Sequence, residues 1–249
     1  MSLIRSAAFN AFFFGVTFLM AMASLPLRVV APQFVPAYAR AWARLMLAAL
    51  RMICGIRYEV TGRDHLPKEG AALLAPMHQS AFDTVIWMLL LPRPAYVVKA
   101  ELFRIPLFGP LLRLAGMIPV DRRGGAAALR SLLQAADGAI AAGRQIVIFP
   151  EGTRVAPGKK VALQPGVAAL AARTGMPVIP VATDSGRHWG RRAFRKVPGV
   201  IHVALQPPLD PGLPRAALLA DLQRAFTDGE AAFGAHVDNS VGEPAAGLL

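Results

Sequence analysis

Among the residues of this sequence, His78 and Asp83 are the pair best placed to move a proton. The run Met77-His78-Gln79-Ser80-Ala81-Phe82-Asp83-Thr84 sets an imidazole and a carboxylate five positions apart. In a regular helix that spacing points two side chains about 140° apart, so they cannot share a helix face. They can meet if His78 ends a strand and Asp83 lies in the first turn of the helix that follows. The carboxylate would then fix one imidazole tautomer, and the imidazole would serve as general base on a hydroxyl, a role worth about 10²–10⁴ in rate. Spacing alone favours a plainer role, with Ser80 as helix N-cap and Asp83 at the capping-box position three residues on. No Gly-x-Ser-x-Gly turn occurs in the chain, so the hydroxyl that His78 would serve is expected to be the substrate's own.

Two further blocks carry charge at strand ends. Lys99-Ala100-Glu101-Leu102-Phe103-Arg104-Ile105-Pro106-Leu107-Phe108-Gly109 follows one apolar run, and Phe149-Pro150-Glu151-Gly152-Thr153-Arg154 follows another. Ligands of open α/β sheets bind at the carboxyl ends of strands. Gly152 permits close backbone approach, and the Arg154 fork suits a phosphate. Taken by itself, the second block reads as a turn with a solvated arginine.

The elements that must position these residues follow from periodicity. Ala71–Pro76, Tyr96–Val98, Met117–Val120, Gln145–Phe149, Val178–Val181 and Val200–Leu205 read as strands. Ala81–Leu91, Leu107–Leu114, Ala126–Ala142, Val167–Arg173 and Ala216–Phe233 read as helices. Such alternation predicts an α/β fold with a mostly parallel sheet covered by helices.

Ahead of this region, Ser6 to Leu27 carries no charge and is bracketed by Arg5 and Arg28. As a helix ending at Pro26 it would be roughly 33 Å long, enough to cross a bilayer core. The rival is a signal peptide cleaved after Ala21-Met22-Ala23. Pro36 to Ile56 is a second apolar stretch whose Arg40, Arg44 and Arg51 fall within about 40° on a helical wheel, with Tyr38 and Trp42 opposite. Read as an interfacial helix, it completes an N-terminal hydrophobic two-helix membrane motif; read otherwise, it is a core helix with one solvated face. The expected organisation is an anchor over 1–56, a catalytic domain over 57–234 and a flexible tail over 235–249.

Hydrophobic residues make up 55 % of the 249, and the net charge is +12. The pI near 11.1 and mean hydropathy of +0.44 point to an anionic, lipidic partner. No nucleic-acid signature is present, so nucleic acid is not an expected partner. Cys54 is the only cysteine, which excludes an internal disulfide and a Cys-based structural zinc. Arg187, Arg191, Arg192, Arg195 and Lys196, with Trp189 and Phe194 among them, read as either a membrane-surface loop or a solvated one. The remaining histidines, His65, His188, His202 and His236, have no ligand spacing.

Taken in order, the blocks resemble the lysophosphatidic acid acyltransferase family, the 1-acylglycerol-3-phosphate O-acyltransferases. His78 and Asp83 match its His-x4-Asp motif, Lys99 to Gly109 its second motif, Phe149 to Arg154 its third, and Val178-Ile179-Pro180-Val181 its fourth. The likeness is strong over roughly residues 55–210, and four ordered blocks are far more specific than one. Met77 stands where many members have Asn, and Leu163-Gln164-Pro165-Gly166 lacks a lysine common there. The resemblance implies His78 and Asp83 as catalytic residues, Arg154 and Lys99 as phosphate holders, and Glu151, Gly152 and Thr153 as further substrate-binding positions. It implies acyl transfer from acyl-CoA or acyl-carrier protein to the sn-2 hydroxyl of lysophosphatidic acid, with no metal or other cofactor. It also implies association with membrane lipids at the cytoplasmic face of the inner or plasma membrane. The alternatives are the same chemistry on another lysolipid, such as lyso-ornithine lipid, and a non-catalytic membrane-bound adaptor.

Overall fold

The computed structural model describes residues 2–66, 68–121 and 124–241, with side chains described as far as Phe233. Seven strands form one sheet: β1 (Ile56–Thr61), β2 (Ala72–Pro76), β3 (Pro94–Lys99), β4 (Ile118–Val120), β5 (Gln145–Val147), β6 (Val178–Thr183) and β7 (Gly199–Leu205). Their spatial order is β1-β7-β6-β2-β5-β3-β4. Every pairing is parallel except β6 with β7. The α/β, mostly parallel architecture is the one periodicity predicts. Sequence reading omits β1, an edge strand in which Arg57, Tyr58, Glu59 and Thr61 are exposed and only Ile56 is fully buried.

Helices cover both faces because the central strands are apolar on both. In β2, Leu74 packs with one cluster and Leu73 and Ala75 with the other; in β5, Val147 and Ile146 divide the same way. That split is the period-two alternation of a strand buried on both sides. The first cluster is completed by α1 (Ser2–Val30), α2 (Val35–Cys54) and α3 (Phe82–Leu90). The second is completed by α5 (Gly125–Ala141), α6 (Gly166–Thr174) and α8 (Arg215–Val241). Two short helices, α4 (Gly109–Leu114) and α7 (Ser185–His188), lie in the connections that follow β3 and β6. The tail expected from 235 is helical as far as Val241, and residues 242–249 lie outside the described set.

The N-terminal segment departs from expectation in two ways. Among the described residues one helix, α1, is long and apolar enough to cross a membrane, not two. α2 buries Ala43, Met46, Leu47, Ala49 and Leu50 in the core. α2 also binds α1, with the Tyr38 hydroxyl donating to Met20 O at 2.8 Å and Trp42 Nε1 to Thr17 Oγ1 at 3.0 Å. Nor is the arginine stripe free as a unit. Arg40 donates to Met88 O, an orphan carbonyl in the last turn of α3, and to Leu91 O and Pro92 O just beyond it. Arg44 and Arg51 remain exposed.

The second departure is that α1 continues through Pro26 to Val30. Beside the proline, the Arg28 guanidinium donates to Ala21 O and Ser24 Oγ. Arg28 also donates to Leu107 O, while near the other end Asn10 Nδ2 donates to Phe194 O at 3.1 Å. Both halves of α1 are therefore fastened to the domain. Ile4, Phe18, Met22, Leu25 and Val29, at helical spacing, are left exposed as an outward apolar stripe.

Candidate active site

β2 ends at Pro76, and the chain turns before α3 begins at Phe82. In that turn Met77 is buried, so an apolar side chain suits the position, and its amide donates to Val181 O at 2.9 Å. His78 follows, stacked on Phe149 with ring centroids 4.2 Å apart. Its Nδ1 lies 3.3 Å from Asp83 Oδ2. Asp83 is buried, and the same oxygen accepts the amides of Gln79 and Ser80, each at 2.7 Å. Ser80 Oγ accepts the Phe82 amide at 3.1 Å. The capping role and the dyad thus coexist: the helix-start geometry that gives Asp83 its backbone partners also aims it at the imidazole. With Nδ1–H turned to Asp83, Nε2 keeps its lone pair for a substrate proton.

The Phe149–Arg154 block meets this turn from β5. Glu151 is buried, and its Oε2 accepts the His78 amide. Burial pushes its carboxyl up to about 7; the His78 N–H works against this, while the Asp83 and Glu230 charges add to it. Gly152 has φ +69°, and a Cβ there would stand 3.0 Å from Gln164 Cγ. Thr153 is exposed. The Arg154 guanidinium is half-buried and makes no hydrogen bond or ion pair with another described residue. Burial draws its pKa down, with Asp83 opposing and Arg191 reinforcing. The Val155 amide donates to His78 O at 2.7 Å, which locks the two blocks together.

Lys99 ends β3, exposed. By register it leaves the sheet level with Pro150, since Tyr96 pairs with Val147. No hydrogen bond or ion pair joins it to His78, Asp83 or Arg154. Five of the seven predicted site residues, His78, Asp83, Glu151, Gly152 and Arg154, are therefore gathered directly, while Thr153 and Lys99 stand at the margin.

Beside this cluster opens an apolar cavity of about 320 Å³. Met20 and Trp42, Thr84 and Met88, Tyr96, Leu111 and Met117 line it, and Arg154 is its charged residue. No spacing in the sequence announces it, because five elements contribute to its wall. His202, read from sequence as ordinary, forms a second His–Asp pair: Nδ1 lies 2.9 Å from Asp184 Oδ2, and Asp184 Oδ1 accepts the His202 amide at 2.7 Å. This pair ties the start of α7 to β7.

A family model described as Acyltransferase matches residues 57–184, about half of the chain. This chain belongs to the acyltransferase family. Its curated relatives include the 1-acyl-sn-glycerol-3-phosphate acyltransferase of Pseudomonas aeruginosa, 35 % identical over 67 % of this chain and 64 % of that protein. That of Limnanthes alba is 32 % identical over 63 % of this chain and 56 % of its own length. The bovine alpha form is 30 % identical over 75 % of this chain and 70 % of its own. The chain thus spans under two thirds of the first two relatives. The 1-acyl-sn-glycerophosphate acyltransferase structure from Thermotoga maritima has the same fold, with a TM-score of 0.77 over 94 % of this chain and 98 % of that one, at 20 % identity.

Proposed function

We propose that this acyltransferase-family chain moves an acyl group from an acyl thioester, of CoA or acyl-carrier protein, to the sn-2 hydroxyl of 1-acylglycerol-3-phosphate, giving phosphatidic acid. The observation that carries the reading is one juxtaposition. An imidazole backed by a buried carboxylate and a half-buried guanidinium with no hydrogen-bond or ion-pair partner among the described residues stand together beside an apolar cavity. An acceptor with a phosphate, a free hydroxyl and a hydrocarbon chain uses all three.

In this reading His78 Nε2 takes the hydroxyl proton as the acceptor oxygen attacks the thioester carbonyl carbon. The tetrahedral intermediate collapses with cleavage of the C–S bond, and the imidazolium returns its proton to the departing thiolate. Asp83 holds the tautomer and stabilises the imidazolium. Arg154 grips the phosphate through two parallel N–H donors. Phe149 stacks on the imidazole and limits its rotation. The apolar cavity takes an acyl chain.

Membrane placement follows from the same surface. The outward stripe of α1 continues beside exposed Phe194 and the exposed Arg5, Arg191, Arg192 and Arg195. Trp189 packs edge-on against Phe9 and Phe13, at centroid distances of 5.2 and 5.5 Å, and holds this loop to α1. An apolar strip rimmed by arginines suits one anionic leaflet, entered by the outward face of α1 without the need to cross. A thioester donor made in the cytosol supports the cytoplasmic face as the side on which the site lies.

The test is thiol release by purified protein from acyl-CoA, and in parallel from acyl-carrier protein, with 1-acylglycerol-3-phosphate. His78→Ala should lower kcat at least about 100-fold with little change in Tm. Release that persists above about a tenth of wild type in His78→Ala would remove the general-base role.

A further inference from the structure

We propose that Glu230 of α8 is a positioning residue for acyl transfer: through Gln79 and Gly158 it holds the loop that carries Arg154 against His78. The proposal rests on the acyl-transfer reading above. Glu230 belongs to none of the four motif blocks and lies outside residues 57–184, the stretch the family model matches.

Glu230 Oε1 accepts from Gln79 Nε2 at 3.0 Å and from the Gly158 amide at 3.3 Å. Gln79 is buried, and its Oε1 accepts the Gly186 amide at 3.1 Å. A side-chain amide has a donor end and an acceptor end. With an N–H at Gly186 and a carboxylate at Glu230, only one orientation of Gln79 satisfies both. Gln79 is the residue next to His78, so its side chain fixes the backbone segment from which the imidazole projects. On the other strand of this junction, Val155 N donates to His78 O, and Arg154 precedes Val155. Gly158 is three residues further along the same loop. One carboxylate oxygen thus restrains both sides of the backbone contact between His78 and Val155, the residue after Arg154.

The packing leaves the junction no slack. A Cβ on Gly229 would stand 2.3 Å from Ala182 Cβ, so α8 approaches β6 as closely as glycine allows, one residue before Glu230. A Cβ on Gly186 would stand 2.8 Å from Pro157 Cδ and 3.0 Å from Gln79 Cβ. Larger residues at either place would push α8 or α7 away and break the chain of hydrogen bonds. The Glu230 charge also bears on the Glu151 carboxyl, which it helps to raise.

The experiment compares full-length Glu230→Ala and Glu230→Gln, with Asp228→Asn as a control on an exposed residue of the same helix. Kinetics are read as kcat and as KM for each substrate separately. Amide hydrogen exchange of residues 155–164 is read on protein without substrate. Glu230→Ala should raise KM for 1-acylglycerol-3-phosphate and lower kcat, each by about tenfold, with KM for acyl-CoA unchanged. Exchange across 155–164 should rise. Glu230→Gln keeps an oxygen acceptor and should recover most of both losses, and Asp228→Asn should match wild type. Equal damage by Ala and Gln, or an equal rise of KM for both substrates, would overturn the proposal, as would unchanged exchange whatever the kinetics. If the wild type itself releases no thiol with any lysolipid, the acyl-transfer reading fails, and the exchange measurement alone decides whether Glu230 holds the loop.

Discussion

The carboxylate of Glu151 accepts the backbone amide of His78, so a residue after β5 sets the position of a residue after β2. The carboxyl is buried, and its pKa is raised to about 7. A raised carboxyl pKa means that the folded state holds a proton that the unfolded state has lost above about 4.5. Its contribution to stability is complete below that value and disappears as pH rises through about 7. Tm of the wild type should therefore fall from pH 5 to pH 8 more steeply than that of Glu151→Gln. The difference in stability change across that window should be on the order of 3 kcal/mol. Parallel Tm profiles for the two proteins would place the ionisation elsewhere.

Asp83 has two functions that substitution can separate. Asn at 83 can keep an oxygen where Oδ2 stands, for the amides of Gln79 and Ser80 and for His78 Nδ1–H, but it removes the charge that stabilises the imidazolium. Asp83→Asn should lose at least about 100-fold in kcat for a stability loss near 1 kcal/mol. Asp83→Ala orphans two buried amides and should cost about 2–3 kcal/mol more. Denaturant titration beside thiol-release kinetics would reveal whether the two losses separate in this way.

Arg154 has a half-buried guanidinium without a hydrogen-bond or ion-pair partner among the described residues, which is the expected state of a group that waits for an anion. Arg154→Ala should cut kcat/KM for 1-acylglycerol-3-phosphate by roughly ten- to a hundredfold. Arg154→Lys should recover only part, because an ammonium cannot make the paired contact. Turnover of a phosphate-free lysolipid should be indifferent to both changes. Equal losses on the two acceptors, in protein of normal Tm, would make Arg154 structural.

The loop beside α1 supplies the membrane prediction. Arg191, Arg192 and Arg195 are exposed around Phe194, and Lys196 beneath them is buried, its Nζ bound to Asn10 Oδ1, Ala193 O and Phe194 O. Reversing the three arginines to Glu should weaken co-sedimentation with anionic vesicles by more than about tenfold at low salt, since each cation near such a surface contributes about 1 kcal/mol. Binding to zwitterionic vesicles should be much less affected, and Phe194→Ser should weaken both. Unchanged anionic binding after the triple reversal would make this a merely solvated loop.

What sequence reveals here is local. Each block was legible because its residues lie within about ten positions and because a strand end and a helix start leave periodic marks. His78, Asp83 and Arg154 could be named from those marks, and the family resemblance came from their order. β1 was missed because an edge strand, exposed along most of its length, gives a weak burial pattern.

What tertiary structure alone decided are relations between distant segments. The sheet order puts β6 between β7 and β2, which brings α7 and α8 to Gln79. It set Glu151 on the His78 amide rather than in open solvent. It turned Arg40 from an expected interfacial cation into a cap for α3, and it paired His202 with Asp184 across 18 residues. Neither propensity nor periodicity encodes such contacts, because a buried carboxylate or guanidinium is satisfied by whichever unpaired amide or carbonyl the packed chain brings within reach. In this protein such partners arrive from distant elements: Gln79 and Glu230 are 151 residues apart, and Asn10 and Lys196 are 186 apart.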